Sequence, residues 1–192
     1  MLRPLDVVVG LRLTEVPGAS YQALARDLGI YPSQAHSSVR RLGTARLISV
    51  LRREVNRRSL LEFLEHGVRY AFPGELLRRS LGVPTAHSGP ILAEKIMSDD
   101  PIVWPSIDGP IEGVGLDPLY PQATKLPQIC PGLYALLTVV DAIRVGRVRE
   151  RRVAITYLRS ALLGDSQRAT PSLGNEDASP QHLKNSEADG DA

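Results

Sequence analysis

The sequence predicts a mainly α chain: a cluster of short N-terminal helices, then a proline-rich extended arm, then a closing pair of helices. Three observations carry that expectation. Apolar residues recur at helical spacing through the first seventy residues, ten of the fifteen prolines crowd between Pro73 and Pro131, and helical spacing returns from Leu133 to Leu163. These shifts in texture divide the chain into 1–72, 73–131, 132–163 and a polar remainder, 164–192.

Residues 4 to 16 form the first expected helix. Pro4 suits the N1 position, Leu5, Val8, Val9, Leu13 and Val16 share one side, and Pro17-Gly18 ends it. The second helix runs from Ser20 to Leu28, because Tyr21, Leu24, Ala25 and Leu28 stand at i, i+3, i+4 and i+7. Ser20 is its N-cap, and Gly29 permits the left-handed turn that stops it. Tyr31-Pro32-Ser33 restarts the chain, with Ser33 as cap of a third helix over about Ser33 to Ala45. There Ala35, Val39 and Leu42 form a packing face. Ser33, Ser37, Arg40, Arg41 and Thr44 fall on the opposite face, and Gln34 lies at its edge.

Two short helices joined by a three- to four-residue turn have the spacing of a helix-turn-helix. Hydroxyls, an amide and guanidiniums on the exposed face of its second helix suit the major groove of double-stranded DNA. Leu47 to Val50 and Arg53 to Val55 pair as a very short wing around Leu51-Arg52, which makes the fold class a winged helix-turn-helix core. Arg52 and Arg53 then sit beside a phosphate or the minor groove, or are simply solvated charges. Ser59-Leu60-Leu61-Glu62 is a capping-box signature for a fourth helix over 59 to 70, with Asn56 as an alternative cap and Leu60, Phe63, Leu64 and Val68 on its core face. His66 reads as a packed or surface histidine.

Residues 20 to 48 resemble the DNA-reading segment of MarR-type winged-helix regulators, in which L-G-[VI]-x-P-S opens the recognition helix and G-L-[IV] leads into the wing. Two departures stand out. Ser38 occupies a position where that family usually carries an apolar residue, and Thr44-Ala45-Arg46-Leu47 replaces an acidic-Ala-Gly-Leu ending. Further segments, LLEFLEHGVRYAFP (60–73), GVPTAH (82–87) and VDAIRVGRVRER (140–151), resemble parts of a little-described group of bacterial MarR-like proteins. The resemblance implies a dimeric DNA-binding regulator and supplies neither effector nor operator.

Between Pro73 and Pro131 the sequence predicts extended arms rather than helices, save a turn at Leu92 to Met97. Pro101 to Pro105 and Ile111 to Leu116 flank Asp108-Gly109, which suggests a small hairpin or two extended arms turning at Asp-Gly. This segment is expected to wrap the helical core or a second subunit, with Trp104 and Tyr120 as anchors. Leu133 to Val145 and Arg147 to Leu163 are the last helices, split or kinked at Gly146, and they either dimerise or pack within the chain. From Gly164 onward Ser, Asp, Asn, Pro and Gly dominate, as in a disordered acidic tail.

Charge is uneven. Residues 1 to 60 hold ten Arg against four acidic residues, whereas 164 to 192 hold six acidic residues against Arg168 and Lys184. A basic partner surface is therefore expected in the N-terminal part. The single cysteine, Cys130, excludes an intramolecular disulfide framework, and the N-terminus lacks a signal-peptide pattern, so a soluble cytoplasmic protein is expected with no membrane contact. His36, His66, His87 and His182 are scattered, and no nucleophile motif, phosphate loop or metal spacing is present. The expectation is no enzyme, no cofactor and no metal. Two functions remain open: a sequence-specific transcriptional regulator, a repressor acting as a homodimer, and a winged-helix protein-interaction subunit, antitoxin-like or a complex scaffold, whose 73–131 segment holds a protein partner.

Overall fold

A computed structural model of the chain describes residues 1–96 and 100–164, so the acidic segment 165–192 and Met97 lie outside the described residues. Over them the chain is rich in helix with a small three-stranded sheet, which agrees with the mainly α expectation.

Helix α1, Pro4–Glu15, starts on its proline, and the Asp6 carboxylate accepts the Arg3 N–H at 2.8 Å, satisfying an orphan donor of the first turn. In α2, Tyr21–Leu28, Ser20 Oγ accepts the Ala23 N–H at 3.1 Å and Gly29 ends the helix at φ 62°. Helix α3, Pro32–Thr44, begins one residue before its expected start. Pro32 takes N1, where its missing N–H costs nothing, and Gln34 Oε1 reaches back to the Tyr31 N–H at 2.9 Å. Ser33 is thus a first-turn residue and not the cap. Leu24, Leu28, Ala35, Val39 and Leu42 are buried in one core with Val7, Val8 and Leu11, α2 packing on α3 and α3 on α1, each large side chain worth about 1.5–3 kcal/mol of transfer free energy.

The expected short β-pair forms. Strand β1, Ile48–Ser49, pairs antiparallel with β2, Glu54–Val55, around residues 50–53. Helix α4, Arg57–Glu62, is capped by Asn56, whose Oδ1 accepts the Ser59 N–H at 3.2 Å; the alternative cap prevails because the helix opens two residues before Ser59. One π-helical turn, Phe63–Gly67, carries it into α5, Val68–Ala71. Arg57 donates to Thr14 O at 2.7 Å and Leu162 O at 3.2 Å, so one guanidinium satisfies carbonyls at two helix ends.

Of the two expectations for the arm, the hairpin does not form and the two extended segments do. Strand β3, Leu76–Thr85, is the long central strand: its first part pairs antiparallel with β5, Ile111–Leu116, and its last part pairs antiparallel with β4, Ile102–Pro105. Strands β4 and β5 run parallel, Ile102 opposite Val114, so the three close on one another. A hairpin at Asp108-Gly109 would have paired β4 and β5 antiparallel. Gly82 and Gly109 decide the closure, since a Cβ on Gly109 would fall on the Gly82 backbone and one on Gly82 would meet the Trp104 carbonyl.

Short helix α6, Leu126–Ile129, leads into helix α7, Pro131–Val145, the hub, which is buried around most of its circumference and touches α1, α5, β3 and the last helix. At its centre the fully buried Asp141 accepts from Thr85 Oγ1 at 2.8 Å, Trp104 Nε1 at 2.6 Å and Arg144 Nη1 at 2.6 Å. Arg144 also donates to Phe72 O at 2.9 Å and Asp117 O at 3.2 Å, fastening the chain on either side of the three-stranded sheet. Burial pushes the Asp141 carboxyl above its ordinary pKa, and the opposing pull comes from Arg144 first and then Thr85 and Trp104. Trp104 and Tyr120 are buried within this chain's own core. Helix α8, Val148–Leu163, turns Ala154, Leu158 and Leu162 inward and leaves Ile155 half-buried and Val148 exposed, so its apolar stripe is covered only in part, and Gly146 separates it from α7. Among the described residues no helix is long and apolar enough to cross a membrane.

Candidate nucleic-acid interface

The eight residues expected to meet DNA divide into three groups. Arg40, Ser33 and Arg52 are exposed, and their side chains make no hydrogen bond to the rest of the described chain. Gln34, Thr44 and Ser37 stand on the same helix under local constraint. Gln34 uses Oε1 as a cap while its amide N–H₂ remains a donor, Thr44 Oγ1 donates back to Arg40 O at 3.1 Å, and Ser37 is half-buried.

The third group differs from expectation. Arg41 does not join the outward face: its Nε and Nη2 donate to the fully buried Asp6 carboxylate at 2.8 and 2.6 Å, and Nη2 also donates to Ser38 Oγ at 3.1 Å. The hydrogen bonds to Asp6 raise its already high pKa against the cost of desolvation. The reason is geometric. Asp6 projects from the first turn of α1 beneath α3, and a buried carboxylate recruits the nearest planar fork. Arg53 is likewise held inward, donating to Gly18 O at 3.2 Å through Nη2, with its guanidinium 5.5 Å from the Tyr21 ring.

Both departures from the resembled pattern acquire a reason. Ser38, fully buried, serves the Arg41–Asp6 pair, which an apolar side chain could not do. Arg46 takes φ 59° at the position where the resembled ending has Gly, an unfavourable left-handed turn that throws the chain from α3 into β1. It is exposed, and sequence reasoning missed it because a basic residue gives no sign of a left-handed backbone.

The outward surface around α3 is thus basic through Arg40, Arg46 and Arg52, with Arg3 and Arg26 exposed nearby in the same helical cluster. The β1–β2 turn packs on α3, where Val50 closes on Gly43 so tightly that a Cβ there would collide with it. At the other end of α3 a cleft of about 730 Å³ opens between Arg3-Pro4-Leu5, Tyr31 to Ser37 and the arm residues Leu119 to Gln122. The arm therefore walls one side of the N-terminal turn of α3, and Gln122 lies against Gly29.

Cys130 is buried, its Sγ 3.8 Å from Asp27 O, and burial pushes its thiol pKa up against the pull of Arg12. That environment favours the inert thiol. His66 is exposed beside Glu65. Comparison with family models, with curated proteins and with solved structures returns no significant match.

Proposed function

We propose that this chain is a sequence-specific DNA-binding regulator of transcription built on a MarR-like winged helix-turn-helix. One observation carries the reading: α2 and α3, joined by Gly29 to Tyr31, leave Ser33, Gln34, Ser37, Arg40 and Thr44 on the surface of α3, while the adjoining β-pair presents Arg46 and Arg52. In this reading α3 enters the major groove, Gln34 and Arg40 meet base edges, and Arg46 and Arg52 meet phosphates. A homodimer would offer two such faces to a two-fold site, and repression follows if that site overlaps a promoter.

Arg41 moves from reader to support. It holds α3 on α1 and thereby sets the angle at which the outer face is offered.

Fluorescence anisotropy of the full chain, on duplex from upstream of its own coding sequence and on random duplex across a salt series, tests the reading. Preference for the upstream duplex, weakened by Arg40→Ala, is expected. Equal affinity for both at moderate salt would sink it. The competing expectation, a protein partner held by 73–131, finds less support, because Val103, Trp104, Leu116 and Tyr120 of that segment are already buried within the chain.

A further inference from the structure

We propose that the groove between α4 and α8 is the docking site of the chain's own acidic segment, residues 165–177. The groove begins at Gly164, where the described chain ends. A cavity of about 580 Å³ lies there against Leu61, Arg58, Arg159 and Leu163. It shares Glu65, Thr156 and Arg159 with a second cavity of about 420 Å³ that continues along α8 past Ile155 to Arg151, Arg152 and Val148. The result is one furrow with an apolar floor and an arginine rim, running the length of α8.

Three observations choose the occupant. The first is charge: α8 and its cap carry Arg147, Arg149, Arg151, Arg152 and Arg159 against Glu150 alone, whereas residues 165–177 carry Asp165, Glu176 and Asp177 against Arg168. The furrow's own carboxylates are Glu62 and Glu65, both at the Gly164 end, and Glu65 is taken by Arg159 at 2.6 Å; outside the furrow Glu150 accepts the Arg147 N–H at 3.0 Å, so among the described residues Arg151 and Arg152 have no hydrogen-bonded carboxylate.

The second is position. Gly164 sits at φ 71°, where the chain leaves the helical path, and it lines the near end of the furrow. The third is length. From Leu163 back to Val148 is about 22 Å at ~1.5 Å per helical residue, which an extended chain covers in about seven residues at ~3.3 Å each. Residues 165–177 span it with slack, bringing Leu173 toward the Ile155–Val148 floor and Glu176-Asp177 toward Arg151 and Arg152.

Because both partners are in one chain, the local concentration is in the millimolar range and weak exposed ion pairs suffice. A docked segment would cover the α8 arginines, leaving Arg40, Arg46 and Arg52 as the open basic surface. The inference does not depend on the DNA-binding reading.

The test uses the full chain carrying Arg152→Lys, mixed in equal parts as ¹⁴N and ¹⁵N protein and treated with a water-soluble carbodiimide, which joins a lysine amine to a carboxylate in contact with it. An unchanged far-ultraviolet spectrum and melting temperature report that the variant is folded. The expected result is a product joining position 152 to Glu176 or Asp177, isotopically unmixed, several-fold above the yield at the exposed Lys125, and lost on raising the salt as screening shortens the reach of surface charges to about 3 Å near 1 M. Yield no higher than at Lys125 overturns the proposal. So does isotopic mixing in that product, which would place the tail of a second copy there.

Discussion

The N-terminal helices and the proline-rich arm are held by different forces. In residues 1–45 the contacts are apolar and periodic, Leu24 and Leu28 sharing one core with Val39 and Leu42 of α3, which packs on α1, and the one buried charge, Asp6, is answered from two residues, Arg3 and Arg41. In the arm, backbone strands of irregular composition are pinned to α7 through a buried charge pair, Asp141 and Arg144, with the Tyr134 hydroxyl adding one neutral hydrogen bond. Periodic apolar burial tolerates graded loss, whereas a single buried charge pair fails as a unit. That difference ranks the consequences of mutation.

The sharpest test is Asp141→Ala. It removes the acceptor shared by Thr85, Trp104 and Arg144 and strands a guanidinium whose side chain is 3% exposed, so a loss of about 3–5 kcal/mol in urea unfolding is expected. Asp141→Leu combined with Arg144→Met should lose less than the sum of the single changes, because neither charge is then left alone. Additive losses would dissolve the idea of a unit.

Leu42→Ala probes the apolar region. Fully buried between α1 and α3, it should cost about 2–5 kcal/mol, and the arm's near-ultraviolet signal from Trp104 should persist until the global transition. Early loss of that signal would show that the two regions are not separable in this way.

Arg41→Ala and Arg40→Ala form a pair on one helix. Removing Arg41 leaves Asp6 buried without its main partner and should lower stability by about 1.5–3 kcal/mol. Removing Arg40 should leave the melting temperature in place while reducing the salt slope of DNA binding by about 1 if it meets a phosphate, or relaxing preference at one base pair by about 1–3 kcal/mol if it meets guanine. The reverse pattern would mean that the outward face has been misassigned.

The smallest effect belongs to Tyr134, whose hydroxyl donates to Pro84 O at 2.7 Å and whose pKa burial pushes up to about 12. A group raised in the folded state stabilises below its unfolded value, 10.0, and that contribution is lost as pH climbs through the folded value. Stability should therefore fall from pH about 10 upward, and Tyr134→Phe should flatten part of that slope. Tyr120, also raised by burial, keeps the remainder. An unchanged slope in urea titrations at pH 8 and 11 would remove the buried phenol from the account.

The sequence by itself determined the helices and their ends. Ser20 and Gly29 around α2, Pro4 and Pro32 at the starts of α1 and α3, and the spacing Ala35, Val39, Leu42 are local rules, decided within a few residues, and the structure follows them to within one or two positions. It also marked the outer face of α3 correctly for Ser33, Arg40 and Thr44. Tertiary structure decided what periodicity does not encode. Strand β3 was missed because LLRRSLGVPT neither alternates nor avoids Gly and Pro, and it becomes a strand by pairing with β4 and β5. The same holds for Arg41 and Asp141, both readable as surface charges in the sequence. Which arginine is a reader and which a brace depends on where a buried carboxylate lies, and Asp6 is thirty-five residues away along the chain. Desolvation makes that distant partner worth more than solvent, so a contact made only in the folded state overrides the helical face on which the residue was written.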